Sequence, residues 1–202
     1  MNVKLQYDIE MLAGIWYEEQ LQLNVYNVNL SLLTVSKDQK FINVAMERLK
    51  CFVHSELANA VYINSCHIEQ ATLMGMMGMN VVTLPDEPVD QIIGMMLYCK
   101  LNAIMENVMQ ITQINIASTL GDDVWYTHDE DDALGPFFAQ DSWWHRPTTQ
   151  HDMLDLEELP DNVVRVQGTG WPEYGLMWPE RPIEHNANST VIYPNFSRNE
   201  NK

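Results

Sequence analysis

The chain is poor in basic residues, and this shortage excludes one broad class of function. Its 202 residues include 28 Asp and Glu but only 11 Lys and Arg, which gives a formal net charge of −17. Proteins that bind nucleic-acid phosphates need clustered Lys and Arg. Direct nucleic-acid binding is therefore not expected, whereas attraction to a protein partner with a basic surface is.

Cysteine and long apolar runs are also scarce. The three cysteines, Cys51, Cys66 and Cys99, are odd in number and include no CxxC spacing, so they predict reduced thiols rather than a disulfide framework. No uncharged apolar run reaches the roughly 18 residues that a membrane span needs. The first residues lack the basic and apolar regions of a secretory signal. We therefore expect a cytoplasmic protein that has no membrane partner and needs no cofactor.

Several catalytic motifs are missing as well. The serines form no GxSxG elbow, and the glycines of LMGMMGM (73–79) form neither GxGxxG nor a P-loop. The histidines form no HExxH or HxH pattern. His54 and Glu56 are candidates to pair with Glu87 or Asp90, in a faint likeness to all-α nucleotide pyrophosphatases. Taken together, these patterns favour a protein that is not an enzyme.

The first 121 residues carry the periodicities of a folded α+β domain. Alternating apolar residues predict strands, and apolar residues at helical spacing predict helices. The alternation changes parity near Asn27 and again near Thr112, which predicts a bulge or break at each place. The third helix is apolar almost all round, so it should be the central buried helix. The strands are predicted at 2–9, 20–35, 60–64, 79–84 and 108–118, and the helices at 38–57, 66–77 and 87–106.

The predicted fold class is therefore α+β, with a mostly antiparallel sheet packed by two or three helices. On the first helix, Asp38 is the expected N-cap, and Glu47, Arg48 and Lys50 are expected on the solvent face.

The character of the chain changes after residue 121. Residues 122–161 hold twelve acidic residues and one basic residue, Arg146, for a net charge of −11. The predicted organisation is an α+β domain (1–121), an acidic connecting segment (122–161) and an extended, irregular Trp/Pro-rich arm (162–202).

Tryptophan is concentrated in the same C-terminal part, where five of the six residues lie after residue 120. The tripeptide Trp-Pro-Glu occurs twice, at Trp171 and Trp178, seven residues apart. Buried aromatic anchors are typical of interface hot spots, but docking of the same side chains on their own domain is an equal alternative. The partner-binding candidates are four tryptophans and seven acids: Trp143, Trp144, Trp171, Trp178, Asp129, Glu130, Asp131, Asp132, Asp155, Glu157 and Glu158.

Two other kinds of site remain open. The run His128-Asp-Glu-Asp-Asp132 offers imidazole and carboxylate ligands, so His128, Asp129 and Asp131 are candidate metal ligands, although the EF-hand pattern is absent. Eight of the thirteen methionines fall between residues 74 and 109. Core filling explains them, and an adaptable apolar pocket for a small molecule is the alternative.

Two stretches resemble small uncharacterised proteins of tailed bacteriophages. They are VDQIIGMMLYCKLNAIME (89–106) and ASTLGDDVWY (117–126), and the similarity extends at most over residues 40–145. The resemblance implies a viral accessory or assembly role inside a bacterial cell, and hence the host cytoplasm. It brings no catalytic residues with it.

The function predicted from the sequence is therefore that of a non-enzymatic protein-interaction factor. Such a factor binds and inhibits a basic, nucleic-acid-binding host protein, or it serves in viral assembly, and a homo-oligomer is compatible with either role. A metal-dependent or nucleotide-handling enzyme and a small-molecule-binding domain are the alternatives.

Overall fold

A computed structural model describes residues 3–149 and 170–180 of the chain. The order along the chain is two long strands, a helix, two strands separated by a short helix, a central helix and two further strands. Within the described ranges, no helix has both the length and the apolar character needed to cross a bilayer. The elements are β1 (Lys4–Tyr17), β2 (Gln20–Thr34), α1 (Gln39–Phe52), β3 (Val61–Asn64), α2 (Ile68–Met76), β4 (Val81–Leu84), α3 (Asp90–Met105), β5 (Met109–Ser118) and β6 (Tyr126–Asp129).

The six strands form one mixed sheet in the order β4-β3-β1-β2-β5-β6. The pairs β1–β2, β2–β5 and β5–β6 are antiparallel, while β1–β3 and β3–β4 are parallel. The predicted α+β class, with a mostly antiparallel sheet and three helices, is therefore confirmed. Because β1, β3 and β4 run in the same direction, their carboxyl ends meet at one end of the sheet.

The predicted break near Asn27 is wrong. Strand β1 pairs with β2 in unbroken register from Lys4 opposite Leu33 to Tyr17 opposite Gln20. The even-numbered residues of β2 from Asn24 to Thr34 are buried, so the leucines at 21 and 23 lie on the opposite face and are exposed. The change of parity therefore arises because the apolar residues lie on one face at the start of the strand and on the other face along the rest of it. The pairing of β1 with β2 contains no bulge there.

The predicted irregularity near Thr112 is confirmed. Ser31 lies opposite Gln113 while the next residue, Leu32, lies opposite Ile111, so Thr112 is the extra residue of a bulge. An inserted residue of this kind shifts the alternation of one strand by one position. Both halves of β5 can therefore keep their isoleucines, including Ile111 and Ile114, in the core.

Helix α3 is the central helix, as its composition predicts. It packs with α1 on one face of the sheet, whereas α2 packs on the other face against Val61 and Ile63. A Cβ atom added at Gly94 would lie 2.9 Å from Cγ2 of Ile116, so glycine permits α3 to approach β5 this closely. Asp38 caps α1 as expected, because its side chain accepts a hydrogen bond from the amide of Lys40.

The described parts of the C-terminal extension pack on this same core. Phe137, Trp143, Trp144 and Trp171 all belong to the main apolar cluster. Lys100 of α3, which is fully buried, donates hydrogen bonds of 3.0 Å to the carbonyl oxygens of Trp143 and Arg146. The segments that carry Phe137, Trp143, Trp144 and Trp171 therefore help to cover α1 and α3.

Candidate functional site

The four tryptophans that the sequence nominates as partner anchors lie against their own chain. Trp143, Trp144 and Trp171 are 3%, 8% and 7% exposed, and Trp178 is half-buried against the main core. Trp143 and Trp144 pack edge to face, with ring centroids 5.8 Å apart. The sequence leaves open whether these tryptophans dock on a partner or on their own domain. In the structure they pack on their own domain.

The repeated Trp-Pro-Glu tripeptide holds a buried arginine. The guanidinium carbon of Arg48 lies 3.9 Å from the ring centroid of Trp178 and 4.8 Å from that of Trp171. Its Nη1 donates to Oε1 of Glu106 at 2.7 Å, and its Nε donates to the carbonyl oxygen of Leu176 at 2.8 Å. We call these five residues the Arg48 clamp. Trp178 also stacks on Phe41, at 6.0 Å between ring centroids.

The prediction that Arg48 points to solvent is wrong, because its side chain is only 2% exposed. Burial lowers the pKa of the guanidinium, and the hydrogen bond that it donates to the carboxylate of Glu106 opposes that shift. Arginine suits this position because its guanidinium is planar. Its faces can stack on the two indole rings while its edge donates hydrogen bonds. Helical spacing alone could not reveal this, because the covering residues lie more than 120 positions further along the chain.

The fifth C-terminal tryptophan, Trp125, is the exposed one. Its side chain is 54% exposed, next to Val124 at 52% and close in sequence to Leu120 at 48%. Asp122 and Asp123 are exposed in the same segment. We call residues 118–125 the Trp125 turn. The partner-binding candidates nominated from the sequence do not include Trp125, although an aromatic residue two positions after a pair of aspartates was a usable signal.

Buried polar groups fix the Trp125 turn to the domain. Ser118 donates through its Oγ to the carboxylate of Asp90 at 2.8 Å, and its carbonyl oxygen accepts from the amides of Gly121 and Asp123. Oδ1 of Asn24, a residue only 1% exposed, accepts from the side chain of Thr119 and from the next amide, at 3.0 and 3.1 Å. These hydrogen bonds therefore hold the turn in one geometry through contacts within its own chain.

Two backbone constraints explain the sequence GDD at the centre of this turn. A Cβ atom on Gly121 would lie 2.5 Å from Oδ2 of Asp90, so only glycine fits beside the carboxylate. Asp122 and Asp123 have φ angles of 54° and 57°. Aspartate tolerates this left-handed region better than most residues. The local geometry thus requires the residue types that also make the turn acidic.

A groove of about 520 Å³ lies beside the turn, at the end of the sheet where α3 begins. Its lining includes Glu18, Asn24, Asp90, Leu120 and Tyr126. Burial raises the pKa of Asp90, and the hydrogen bonds from Ser118 oppose that shift. The lining combines two carboxylates with apolar side chains that include Ile15, Val89 and Leu120, so the groove suits the aliphatic stem and charged end of a lysine or arginine.

The acids after β6 lie at the other end of that strand from the Trp125 turn, because β6 pairs with β5 from Tyr126 opposite Ile116 to Asp129 opposite Gln113. Glu130, Asp131 and Asp132 are exposed and Asp129 is half-buried. The carboxylate of Asp129 accepts from the amide of Asp131, and that of Asp132 accepts from the amide of Asp129, each at 3.0 Å. Two of these carboxylates therefore stabilise the turn that carries them. The other predicted acids, Asp155, Glu157 and Glu158, lie outside the described residues.

The candidate metal ligands His128, Asp129 and Asp131 are not brought together as a three-ligand group within the described ranges. Nδ1 of His128 instead lies 3.9 Å from Oδ2 of Asp132, and its ring packs edge to face on Tyr98 at 4.8 Å. Its Nε2 is buried and has no hydrogen-bond partner among the described residues. Burial lowers the pKa of His128, against the opposing charges of the two neighbouring aspartates.

This lowered pKa predicts a pH effect on stability. As the pH falls below about 6.5, the usual histidine pKa, the unfolded chain takes up a proton at His128 that the folded chain resists. We expect the thermal midpoint to fall between about pH 7.5 and about pH 5.5, and His128→Phe to reduce that fall. Phenylalanine keeps the aromatic contact with Tyr98 and carries no proton. Thermal denaturation at a series of pH values measures the difference.

His54 offers the control for this prediction, because it is an exposed histidine at the end of the first helical segment. The variant His54→Gln should show the pH profile of the parent chain. Equal slopes for His128→Phe and the parent chain would mean that the buried Nε2 does not destabilise the protonated state.

The other pairings suggested by the sequence are not formed. Glu87 accepts a hydrogen bond from Nδ2 of Asn64 at 3.0 Å and lies 3.9 Å from Nε2 of His67. Asp90 is bound to Ser118 as described above, and a hydrogen bond from Tyr174 acts on the carboxylate of Glu56. Each of these three acids therefore has a hydrogen-bond partner other than the one that the sequence suggests.

The methionine-rich stretch has two fates in the structure. Met74, Met96, Met105 and Met109 are buried in the core, as the core-filling interpretation expects. Met76 and Met77, at the end of α2, are 52% and 65% exposed. These two side chains lie at the surface.

Comparisons with known proteins identify no family for this chain. No family model matches the chain, and no curated protein matches it. A solved structure of an uncharacterized protein from Wolinella succinogenes is similar at 10% sequence identity and a TM-score of 0.48. The match covers 65% of this chain and 99% of that chain.

Proposed function

We propose that this protein is a non-enzymatic interaction factor that binds a basic protein partner through the Trp125 turn and its acidic surroundings. The exposed indole of Trp125 is the observation that carries the proposal, because a tryptophan 54% exposed on a fixed turn is available as an anchor. Tryptophan is among the residues that contribute most to binding at interface hot spots. Val124 and Leu120 extend the apolar contact on the same turn.

Charge supports a basic partner. Exposed carboxylates occur on both sides of Trp125 along the chain, at 122–123 and at 130–132, and the whole chain carries −17. A field of one sign attracts the opposite sign and accelerates association. A lysine or arginine of the partner fits the adjacent groove, where Glu18 and Asp90 supply carboxylates. If the partner is a nucleic-acid-binding protein, occupation of its phosphate-binding surface makes this chain an inhibitor.

The test places a photocrosslinking amino acid at position 125 of the full chain. The resemblance to phage proteins makes a bacterial cell the first host in which to identify the captured partner. With that partner purified, Trp125→Ala should weaken binding by about 30-fold, the effect of losing a hot spot of about 2 kcal/mol. Titration calorimetry measures the two dissociation constants.

Two further variants separate the contact made by the Trp125 side chain from the long-range attraction of the acidic residues. Phe138 is 76% exposed but lies outside the turn, so Phe138→Ala should leave affinity unchanged. Replacing Asp122 and Asp123 by Asn keeps residues that tolerate positive φ and removes two charges. We expect slower association, weaker binding by up to about tenfold, and a weaker salt dependence. Equal affinities for the parent chain and Trp125→Ala would refute the proposal.

A further inference from the structure

A second cluster of reactive side chains lies away from the Trp125 turn. The ligand atoms of Cys66, His67 and Glu87, one from each residue, all lie within 4.8 Å of one another. Three atoms that close share a point no more than about 2.8 Å from each, whereas zinc bonds measure about 2.0–2.3 Å. Shifts of less than about 1 Å would therefore bring all three onto one ion, which is within the range of side-chain rotation.

The topology explains why these residues meet. Strands β3 and β4 are parallel neighbours, so the segments that leave their carboxyl ends are adjacent. Cys66 and His67 follow β3, Glu87 follows β4, and the amide of Ser65 donates to the carbonyl oxygen of Leu84 at 2.8 Å to join the two segments. The residues thus come together through the fold, although 21 positions separate Cys66 from Glu87 in the chain.

Asn64, the last residue of β3, orients two members of the cluster. Its Nδ2 donates to Oε1 of Glu87 at 3.0 Å, and its Oδ1 accepts from the backbone amide of Cys66 at 3.0 Å. Outer residues that hydrogen-bond to ligands in this way fix ligand geometry in known metal sites. His67 occupies the N-cap position of α2 but makes no capping hydrogen bond with its side chain. Its imidazole is therefore not committed to stabilising the helix.

We propose that Cys66, His67 and Glu87 form a binding site for a Zn²⁺-class transition metal ion. The donor set decides the chemical class, because thiolate and imidazole select zinc and similar metals, whereas Mg²⁺ and Ca²⁺ prefer oxygen ligands alone. A thiolate and a carboxylate also neutralise the charge of a divalent ion. Cys66 is exposed, so the fourth position of a tetrahedral ion faces solvent and takes water or a ligand atom from a partner.

The site is independent of the proposed interaction surface, although both lie at the same end of the sheet. Glu87 directly precedes Pro88, which lines the groove beside the Trp125 turn. A bound ion would join the segment after β3 to the segment that leads into α3. Metal binding should therefore raise the thermal stability of the chain as well as give a spectroscopic signal.

The experiment titrates Co²⁺ into the full chain, reduced and freed of metal, and then displaces it with Zn²⁺. Co²⁺ serves as the probe because a bound thiolate gives a charge-transfer band in the near ultraviolet that carboxylate sites elsewhere in this acidic chain cannot give. We expect one equivalent of Co²⁺ to produce this band and Cys66→Ser to abolish it. Glu87→Gln and His67→Gln should each weaken Co²⁺ binding at least tenfold, because even the loss of a residue that only hydrogen-bonds to a ligand has an effect of about this size in known metal sites.

All three cysteines lie within the described residues, which makes the assignment unambiguous. Cys51→Ser is the matched control, because Cys51 lies on α1 beside Ser55 and away from this cluster, and it should keep the full band. Circular dichroism of each variant verifies that these surface substitutions leave the fold intact. A chain without the band, or a band that survives Cys66→Ser, overturns the proposal.

Discussion

Arg48→Ala should lower the free energy of unfolding by about 3–5 kcal/mol, because it removes two hydrogen bonds from a buried guanidinium, and hydrogen bonds of charged groups contribute about 1.5–3 kcal/mol each. The substitution removes the donor to Glu106 and to the carbonyl of Leu176, and it leaves a space between two indole rings. We expect residues 170–180 to detach at the same time, because three of the five members of the Arg48 clamp lie there. Urea denaturation measures the stability, and limited proteolysis measures the detachment.

Two further variants separate this explanation from a general loss of charge. Lys50→Ala removes an exposed lysine paired with Glu47 on the same helix, and surface pairs of this kind contribute at most about 1 kcal/mol. Arg48→Lys keeps the charge but loses the planar group that stacks on both rings, so its stability should lie between those of the parent and Arg48→Ala. A loss below about 1 kcal/mol for Arg48→Ala would show that the clamp does not stabilise the fold.

Trp143→Ala should also cost about 3–5 kcal/mol, as large-to-small changes at buried tryptophans do. The side chain is 3% exposed, packs on Trp144, and lies 5.4 Å from Nζ of Lys100. Its removal leaves a cavity in the layer that covers α3. Chemical denaturation of the purified variant measures the change in the free energy of unfolding.

Trp125→Ala is the matched control, since it deletes the same side chain at an exposed position. Surface substitutions usually change stability by no more than about 0.5 kcal/mol. Trp143→Ala should therefore lose stability with little direct effect on partner affinity, and Trp125→Ala should do the reverse. If Trp143→Ala were as stable as the parent chain, the tryptophan would not belong to the core.

The sequence predicts the helices and most strands of this fold because they bury one regular face. Helix α3 is apolar almost all round, and the bulge at Thr112 follows from a change in alternation. The second half of β1, after residue 9, was not predicted. Its core-facing residues include the small Ala13 and its solvent-facing residues include the apolar Leu12, so the alternation is weak there. Alternation fails where small or apolar residues occupy the wrong face, and the long register with β2 decides instead.

The candidate site was less predictable, since burial over long sequence distances decides which residues are accessible. The four tryptophans nominated as anchors differ from Trp125 in that other parts of their own chain cover them. Two long-range contacts depend on the assembled sheet and the segments that cover it. They are the stacking of Arg48 on the tryptophans at 171 and 178, and the approach of Cys66 to Glu87. The GDD turn beside Trp125 does have a local signal, because its glycine and two aspartates match the backbone that the turn requires.

Hydroxyl-radical footprinting of the chain, alone and with the partner captured at position 125, tests the division between core and interface tryptophans most directly. In the free chain, oxidation should be fast at Trp125 and slow at Trp143, Trp144 and Trp171, in line with their exposure. Added partner should protect Trp125 and leave the slow residues unchanged. Slow oxidation of Trp125 in the free chain, or fast oxidation that the partner does not reduce, would contradict the account.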